Sequence, residues 1–269
     1  MTDTTPAETT IPAETSPATG GASRTAAVLV IGNEILSGRT QDVNVRMIAT
    51  KLAPAGIRLI EVRVVPDVEA EIIDAIHALE AKADYVFTTG GIGPTHDDIT
   101  AEAVSKAMGV PLIRHPEAER RLKAYYPPDK LTEARLRMAN TAEGATLIDN
   151  PVSIAPGFRI GKVHVLAGVP QIAAAMMDNV VPTLEGGAVT RAVTLVVDGA
   201  EGEIAQRLGE VQDRHPTVEI GSYPAFRGGK PSVSLVLRGT DDTQLAAAEA
   251  DLCAVLAEMA VPVLFREGN

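Results

Sequence analysis

Short apolar runs alternate with amphipathic stretches along the first part of the chain. The runs lie at 26–31, 57–65 and 85–89, and the first of them is continuous, as in strands buried on both faces of a parallel sheet. The stretches repeat apolar residues with the period of an α-helix and lie at 42–53, 68–81 and 101–108. This order predicts three consecutive βα units. Because such crossovers are right-handed, all three strand-to-helix loops would meet at one edge of the sheet.

The pattern then changes before it returns to strand and helix. Two polar helices are predicted at 115–126 and 132–139, and an insertion of this size would form a lid over a neighbouring cleft or a contact between subunits. Residues 156–158 are predicted to form a turn, and residues 162–166 a further strand. That strand leads through a second glycine turn, at 167–170, into another helix.

A different order of elements follows the glycines of a predicted linker at 185–187. Strands are expected at 193–197, 217–223, 231–237 and 261–265, and helices at 203–212 and 243–258. This βαββαβ order suits a small ferredoxin-like domain. The sequence therefore predicts an α/β protein in which a three-layer, mostly parallel sheet is followed by a smaller α+β domain. The predicted division is a disordered tail at 1–24, a first domain at 25–187 and a second domain at 188–269.

Composition limits the kinds of partner that the protein can bind and the compartment in which it is expected. The formal net charge is −11 and there is no long basic block, so nucleic acid is not expected as a partner. Cys253 is the only cysteine, which excludes an intramolecular disulfide and a cysteine-rich zinc site. No apolar run is long enough to cross a membrane, and the N-terminus does not have the pattern of a signal peptide. A cytoplasmic location is expected.

One junction between a strand and a helix carries the clearest chemical signal. The strand at 85–89 ends in Thr89-Gly90-Gly91-Ile92-Gly93, and the next helix begins shortly after Asp97 and Asp98. Glycines allow a close approach of the backbone, and a helix N-terminus presents free N–H groups, so the loop is suited to binding a phosphate or another anion. It has neither the lysine of a Walker A loop nor the spacing Gly-x-Gly-x-x-Gly.

The two aspartates of this loop admit two interpretations. Either side chain could simply cap the helix. A carboxylate beside a bound phosphate would be repelled by about 4 kcal/mol at about 4 Å when the effective dielectric constant is near 20. A divalent cation between the two groups would turn that repulsion into an attraction. We therefore expect a phosphate-bearing ligand together with a metal ion.

Further polar residues follow the other two predicted strands. Glu34 comes shortly after the first strand, and Asp67 comes directly after the second. Asp67 fits equally well as a cap of the following helix and as a ligand at the carboxyl end of a strand. Asp42 is more typical of a helix cap, and Asn44 is expected on the polar flank of its helix. Glu34, Asp67 and Asp98 would then face one cleft.

A set of motifs in the first domain is specific in combination. They are Gly32-Asn33-Glu34-Ile35-Leu36-Ser37-Gly38, Asp42 with Asn44, Val65-Pro66-Asp67, Thr88-Thr89-Gly90-Gly91-Ile92-Gly93-Pro94, Asp98-Ile99-Thr100, Asn150-Pro151-Val152, Ala155-Pro156-Gly157-Phe158 and Gly168-Val169-Pro170. Together they resemble the molybdopterin-binding domain of the MoaB/MogA family, and most closely its CinA-like (competence/damage-inducible protein A) branch. The resemblance implies a MoaB/MogA-like first domain, and the second domain is similar to the one that follows in CinA-like proteins.

The resemblance implies roles for particular residues. In MogA-like relatives, which bind molybdopterin and adenylylate it, two functionally important aspartates fall by motif on Asp67 and Asp98. These two would be catalytic, and together with Glu34 they would hold Mg²⁺, Mn²⁺ or Co²⁺, with K⁺ as an additional ion. The implied ligand-binding residues are Gly32, Asn33, Ser37, Gly38, Asp42, Asn44, Thr89, Gly90, Gly91, Gly93, Gly168 and Pro170.

The chain departs from longer CinA-like proteins at several positions. Ser153-Ile154 stands where Gly-Thr is usual, Ala167 replaces a proline, and Gln171-Ile172 replaces Ser-Glu. A glutamate at position 172 that helps to hold a metal would therefore be missing. A nicotinamide-mononucleotide deamidase domain, which those proteins often carry, is not expected in this sequence.

Three functions are compatible with these residues. The first is metal-dependent hydrolysis of ADP-ribose to AMP and ribose 5-phosphate, the activity associated with CinA-type proteins. The second is molybdopterin binding in cofactor assembly, and the third is a non-enzymatic module that senses a nucleotide. The first two place a small phosphorylated ligand, a nucleotide or a pterin, at the glycine loop. The family also implies a homo-oligomer, with residues 115–139 as a candidate interface.

Overall fold

A computed structural model describes residues 23–268 of the chain. The tail predicted at 1–24 lies outside the described residues, apart from its last two positions. The first domain begins with the three predicted βα units. Their elements are β1 (Arg24–Ile31), α1 (Asn33–Leu36), α2 (Asn44–Leu52), β2 (Ile57–Val65), α3 (Glu69–Glu80), β3 (Tyr85–Thr89) and α4 (Thr100–Ala107).

The insertion and the last strands complete the first domain. The remaining elements are β4 (Leu112–Arg114), α5 (Pro116–Tyr125), α6 (Glu133–Leu136), β5 (Asn140–Ala142), β6 (Thr146–Ile148), β7 (Gly157–Ile160), β8 (Val163–Leu166) and α7 (Pro170–Val180). β4 pairs antiparallel with β5, so a short ladder closes the two helices of the insertion. Neither strand was predicted, because three residues are too few to show a period.

One six-stranded sheet forms the middle layer of the first domain, in the order β2-β1-β3-β8-β7-β6. The first four strands are parallel, whereas β7 and β6 are antiparallel to their neighbours. Residues 26–31 of β1 are almost completely buried, as their continuous apolar run predicted. α3 and α4 pack on one face of the sheet, and α2 and α7 pack on the other. The prediction of an α/β fold with a mostly parallel sheet is confirmed.

The turn predicted at 156–158 is wrong. Gly157 and Phe158 open β7, where buried Phe158 pairs with Val165 of β8. A Cβ atom on Gly157 would lie 2.3 Å from the carbonyl oxygen of Val165. The glycine here therefore permits a close approach of two strands, a role that glycine also has within sheets, rather than a change of chain direction.

The second domain has the predicted βαββαβ order. Its elements are β9 (Arg191–Asp198), α8 (Glu201–Arg214), β10 (Glu219–Arg227), β11 (Lys230–Gly239), α9 (Asp242–Glu258) and β12 (Val263–Gly268). The sheet has the order β10-β11-β9-β12, all neighbours are antiparallel, and this is the ferredoxin-like arrangement. α8 and α9 cover one face, over a core that includes Leu195, Val211, Leu235 and Leu252.

The segment at 185–187 is bound to the first domain. The backbone N–H of Gly187 donates to the carbonyl oxygen of Ala55 at 3.0 Å, and the Tyr85 hydroxyl donates to the carbonyl oxygen of Glu185 at 3.0 Å. The predicted linker glycines therefore still belong to the first unit. Among residues 23–268, no helix is both long and apolar enough to span a membrane.

Candidate functional site

A cavity of about 460 Å³ lies at the carboxyl ends of β1, β3 and β8. The loops after these three strands supply most of its wall, and the segments before β5 and β7 supply the rest. Its lining residues are Glu34, Thr40, Gly90, Gly91, Ile92, Gly93, Pro94, Asp98, Met138, Asn150, Ser153, Ala155, Ala167, Gly168, Val169 and Ile172. This is the edge of an open α/β sheet at which ligands bind.

The glycine loop after β3 is held from below by the first residue of α4. The Thr100 hydroxyl donates to the carbonyl oxygen of Gly90 at 2.9 Å, and the Thr100 N–H donates to that of Gly91 at 3.0 Å. Gly90 and Gly91 have φ angles of 105° and 67°, and a Cβ atom on Gly90 would lie 2.1 Å from the carbonyl oxygen of Ile31. Only glycine fits at these two positions, so their backbone can approach the cavity without a side chain in between.

Asp98 caps its own loop rather than the helix. Its Oδ2 accepts hydrogen bonds from the Thr95 N–H at 2.8 Å and from the Thr95 hydroxyl. α4 begins only at Thr100, and no side chain caps its N-terminus. The interpretation of Asp97 or Asp98 as a helix cap is therefore wrong. Asp98 lines the cavity, and a Cβ atom on Gly93 would lie 2.7 Å from its Oδ2.

Asp67 joins the loops that follow β1 and β2. Its Oδ2 accepts a hydrogen bond from the backbone N–H of Asn33 at 2.9 Å. It does not cap α3, because no side chain bonds the N-terminus of that helix. Of the three carboxylates predicted to face one cleft, Glu34 and Asp98 line the cavity, whereas Asp67 is not among its lining residues. Asp67 instead fixes the backbone next to Glu34.

Asn44 lies beneath the cavity. It is only 5% exposed, so its predicted place on the polar flank of α2 is wrong. Its Nδ2 donates to the Thr89 hydroxyl and to the carbonyl oxygen of Gly168, each at 2.8 Å. The Thr89 hydroxyl donates onward to the carbonyl oxygen of Ala167 at 3.2 Å. This buried network ties α2 to the ends of β3 and β8, which its sequence pattern did not show.

The remaining predicted site residues do not line the cavity. Asp42 accepts a hydrogen bond from the Val45 N–H at 2.9 Å, in agreement with a role at the start of α2. The Ser37 hydroxyl donates to the carbonyl oxygen of Glu34 at 3.3 Å. Pro170 is the first residue of α7. Among the described residues, the predicted site residues that do not line the cavity are Gly32, Asn33, Ser37, Gly38, Asp42, Asn44, Asp67, Thr89 and Pro170.

Several lining residues were not predicted as site residues. Asn150 is buried, its Oδ1 accepts from the N–H groups of Val152 and Ser153, and its Nδ2 donates to the carbonyl oxygen of Ala155. It thereby holds one wall of the cavity. The motif Asn150-Pro151-Val152 is part of the family resemblance, and this is the sequence signal that points to Asn150. Ile172 also lines the cavity, at the position where longer relatives were expected to have glutamate.

The carboxylates of the cavity bear on whether the described residues fit a divalent metal. Among residues 23–268 there is no group of three or more His, Cys, Asp or Glu side chains placed to hold a metal ion. Glu34 and Asp98 nevertheless line the same cavity as the glycine loop. Mg²⁺ is commonly bound by one or two carboxylates plus phosphate oxygens and water. The residues present therefore fit a metal that enters with a phosphorylated ligand.

Comparisons with known proteins identify the family. The family model described as "Probable molybdopterin binding domain" matches residues 27–186. The chain belongs to this family. A second model, described as "FAD synthase, middle domain", matches residues 190–263. Thus a separate family model matches each of the two domains, and the resemblance of the first domain to molybdopterin-binding domains is confirmed.

Individual members of the family cover most of the chain. A protein of Aeropyrum pernix is 35% identical over 236 residues, which are 83% of this chain and 88% of that protein. A CinA-like protein of Citrifermentans bemidjiense is 38% identical over 225 residues, which are 80% of this chain but 53% of that protein. The crystal structure of the protein CinA from Thermoplasma acidophilum matches with a TM-score of 0.55 and 36% identity, covering 58% of this chain and 95% of that one. These matches confirm the CinA-like resemblance.

Proposed function

We propose that this member of the family binds a small phosphorylated ligand, a pterin or an adenine nucleotide, in the cavity beside the glycine loop. The observation that carries the proposal is the juxtaposition of the glycine loop with two carboxylates in one cavity of about 460 Å³. Ligand pockets for small molecules commonly have volumes of about 300–1,000 Å³. The space is therefore suited to a ring system with its phosphate.

The glycine loop would hold the phosphate. Gly90, Gly91 and Gly93 bring backbone atoms to the wall of the cavity. The first N–H groups of a helix have no acceptor within the helix and attract anions. In α4, however, the N–H of Thr100 already donates to Gly91, and Ala101 and Glu102 do not line this cavity, so the phosphate would contact the backbone of the glycine loop itself.

Glu34 and Asp98 would hold a divalent metal, Mg²⁺, Mn²⁺ or Co²⁺, on the phosphate side of the ligand. When bound, such a metal neutralises phosphate charge and activates water for attack on a phosphoryl group. Asp67 would position Glu34, because its carboxylate holds the backbone N–H of the preceding residue, Asn33. Asp98 would be both ligand and loop cap, because its Oδ2 already accepts from Thr95.

Hydrolysis of ADP-ribose is the second candidate function, and one lining residue weighs against it. Two carboxylates beside the glycine loop favour metal-dependent chemistry. Ile172, however, replaces the expected glutamate with an apolar side chain in the cavity wall. An apolar wall suits a pterin or adenine ring and supplies no metal ligand. Binding is therefore the function that we propose first, in cofactor assembly or in a non-enzymatic nucleotide-sensing module.

Thermal shift with ADP-ribose and with a phosphorylated pterin, and release of AMP from ADP-ribose, test both functions. We expect at least one ligand to raise the melting temperature in the presence of Mg²⁺ or Mn²⁺. Asp98→Asn should stay folded, because the amide oxygen can still accept from Thr95, but should lose metal-dependent stabilisation and any turnover. Asp97→Asn is the matched control, since its exposed neighbouring side chain does not line the cavity.

The outcomes separate the candidates. AMP release that requires metal and is lost in Asp98→Asn would establish a hydrolase. A thermal shift without AMP release would establish a binding protein. If no phosphorylated ligand shifts the wild type, or if Asp98→Asn and Asp97→Asn behave alike, the proposed site is wrong.

A further inference from the structure

A narrow cleft of about 40 Å³ adjoins the cavity. The two spaces share Gly91, Gly93 and Asp98 of the glycine loop as a common wall. On its other side the cleft is bounded by Arg137 and Asn140, at the end of the insertion. It is too small for a ring, but it lies where a second group of a ligand held at the glycine loop would extend.

Arg137 is the only lysine or arginine among the residues that line either space within the described part of the chain. The carboxylates of Glu34, Asp98 and Glu102 line the same two spaces. A ligand with two phosphates would bring further negative charge into this acidic surrounding. Apart from a metal, Arg137 is the one fixed positive charge there that could offset it.

The guanidinium of Arg137 is available for such a ligand. Neighbouring arginines of the insertion are occupied, because Arg114 pairs with Glu133 and Arg121 pairs with Glu117. Arg135 lies over the Tyr126 ring at 4.4 Å and donates to a backbone carbonyl. Arg137, by contrast, makes no ion pair with any residue in the range 23–268.

The backbone that carries Arg137 is nevertheless fixed. It forms a 3₁₀ turn with Ala139, which is completely buried. The carbonyl oxygen of Ala139 accepts from the His115 N–H at 2.8 Å, and β5 begins at the next residue. A free arginine on an anchored turn can meet a phosphate without first breaking an ion pair, and its planar fork matches phosphate oxygens.

We propose that Arg137 binds the second phosphate of a diphosphate ligand, so that the site selects a nucleoside-diphosphate compound such as ADP-ribose over a compound with one phosphate. This inference rests on the proposed function, because the first phosphate is placed at the glycine loop. It assigns to the insertion a direct part in ligand selection. A monophosphorylated ligand would leave the cleft and Arg137 unused.

Calorimetric titration of the full chain with ADP-ribose and with AMP, in Mg²⁺, tests the assignment. The wild type should bind ADP-ribose more tightly than AMP. Arg137→Ala should weaken ADP-ribose binding by roughly tenfold or more, the effect of losing one hydrogen bond to a charged group, and change AMP binding by less than about twofold. Arg135→Ala is the matched control on the same segment and should change neither affinity.

The results distinguish failure of this inference from failure of the proposed function. If Arg137→Ala keeps its wild-type melting temperature and its affinity for ADP-ribose, Arg137 is not a phosphate ligand. If it weakens ADP-ribose and AMP equally, Arg137 holds the first phosphate and the second-phosphate assignment is overturned. If the wild type binds neither compound, both the nucleotide function and this inference are overturned.

Discussion

At the scale of single residues, the glycine loop depends on contacts that exclude side chains. Gly90 has a φ of 105°, and the position of a Cβ atom there lies 2.1 Å from the carbonyl oxygen of Ile31 at the end of β1. The obstacle is backbone of a buried strand, so it cannot rotate away as a side chain would. The loops after β1 and β3 are therefore packed together in a way that fixes the floor of the cavity.

Replacing Gly90 by alanine should consequently destabilise the protein. Gly161→Ala is the matched control, because Gly161 also has a positive φ, of 56°, but a Cβ atom there would meet nothing within 4 Å. We expect the control to lose about 1 kcal/mol from backbone strain. Gly90→Ala should lose more, by about 2 kcal/mol or beyond, because β1 must also move.

Urea unfolding of the two variants measures the difference. Equal losses in both would show that the β1 and β3 loops are not in the close contact described. If Gly90→Ala remains folded, it should bind the phosphorylated ligand more weakly than the wild type does, since the loop would be displaced from the cavity.

At the scale of elements, β8 places an ionisable side chain in the buried core of the first domain. His164 is 2% exposed and lies beside the rings of Phe87, at 5.0 Å, and Tyr85, at 6.0 Å. Its Nδ1 lies 3.1 Å from the carbonyl oxygen of Lys162. Burial disfavours the charged imidazole and lowers the pKa of His164 from 6.5 to about 4.

This burial predicts that stability falls as the pH is lowered. Below a pH of about 6.5 the unfolded chain takes up a proton at His164 that the folded protein does not accept until about pH 4. The contribution of the neutral His164 to stability is complete above the unfolded pKa of about 6.5, and it is lost as the pH falls towards the folded pKa of about 4. Between about pH 7.5 and about pH 5 the loss should be about 2 kcal/mol.

Urea unfolding at both pH values checks the prediction. His164→Phe should remove most of that pH dependence, and the carbonyl oxygen of Lys162 keeps a partner because it also accepts from the Val86 N–H. His96→Gln, at an exposed loop position, should leave the dependence unchanged. An unaltered pH dependence in His164→Phe would assign it to other groups.

Elements with a long, uniform pattern were predictable from the sequence. The bounds of β2 and β3 coincide with the predicted 57–65 and 85–89, because runs rich in β-branched and apolar residues that end at turn residues are typical of strands. The three-residue strands β4, β5 and β6 show no such period. β7 was missed because Pro156-Gly157 is a turn signal locally, and only pairing with β8 decides against the turn.

The site was predictable where its chemistry lies within one motif. The glycines, Glu34 and Asp98 belong to short loops after strands, so topology alone brings them to one edge. The burial of Asn44 was not predictable, since its partners, Thr89 and Gly168, are distant in sequence. The approach of Arg137 to the glycine loop likewise depends on how the insertion packs, which no local pattern encodes.

At the scale of the whole molecule, the hydrophobic core of the second domain shares no residue with those of the first domain within residues 23–268. The three clusters of the first domain draw their buried residues from between Ala26 and Val180. The cluster of the second domain draws its buried residues from between Val193 and Leu256. A unit with its own core can in principle fold alone. Residues 185–187 are hydrogen-bonded to the first unit, so we place the division after Gly187.

We therefore expect a fragment of residues 23–187 to fold and to bind the phosphorylated ligand with the affinity of the full chain. Every residue that lines the cavity and the adjoining cleft lies within this fragment. Cutting earlier, after residue 184, should destabilise it, because the bonds from Glu185 to Tyr85 and from Gly187 to Ala55 are then lost. Circular dichroism melting and calorimetric titration of both fragments measure this. A fragment 23–187 that is unfolded, or folded but unable to bind a ligand that the full chain binds, would show that the second domain is required to complete the first.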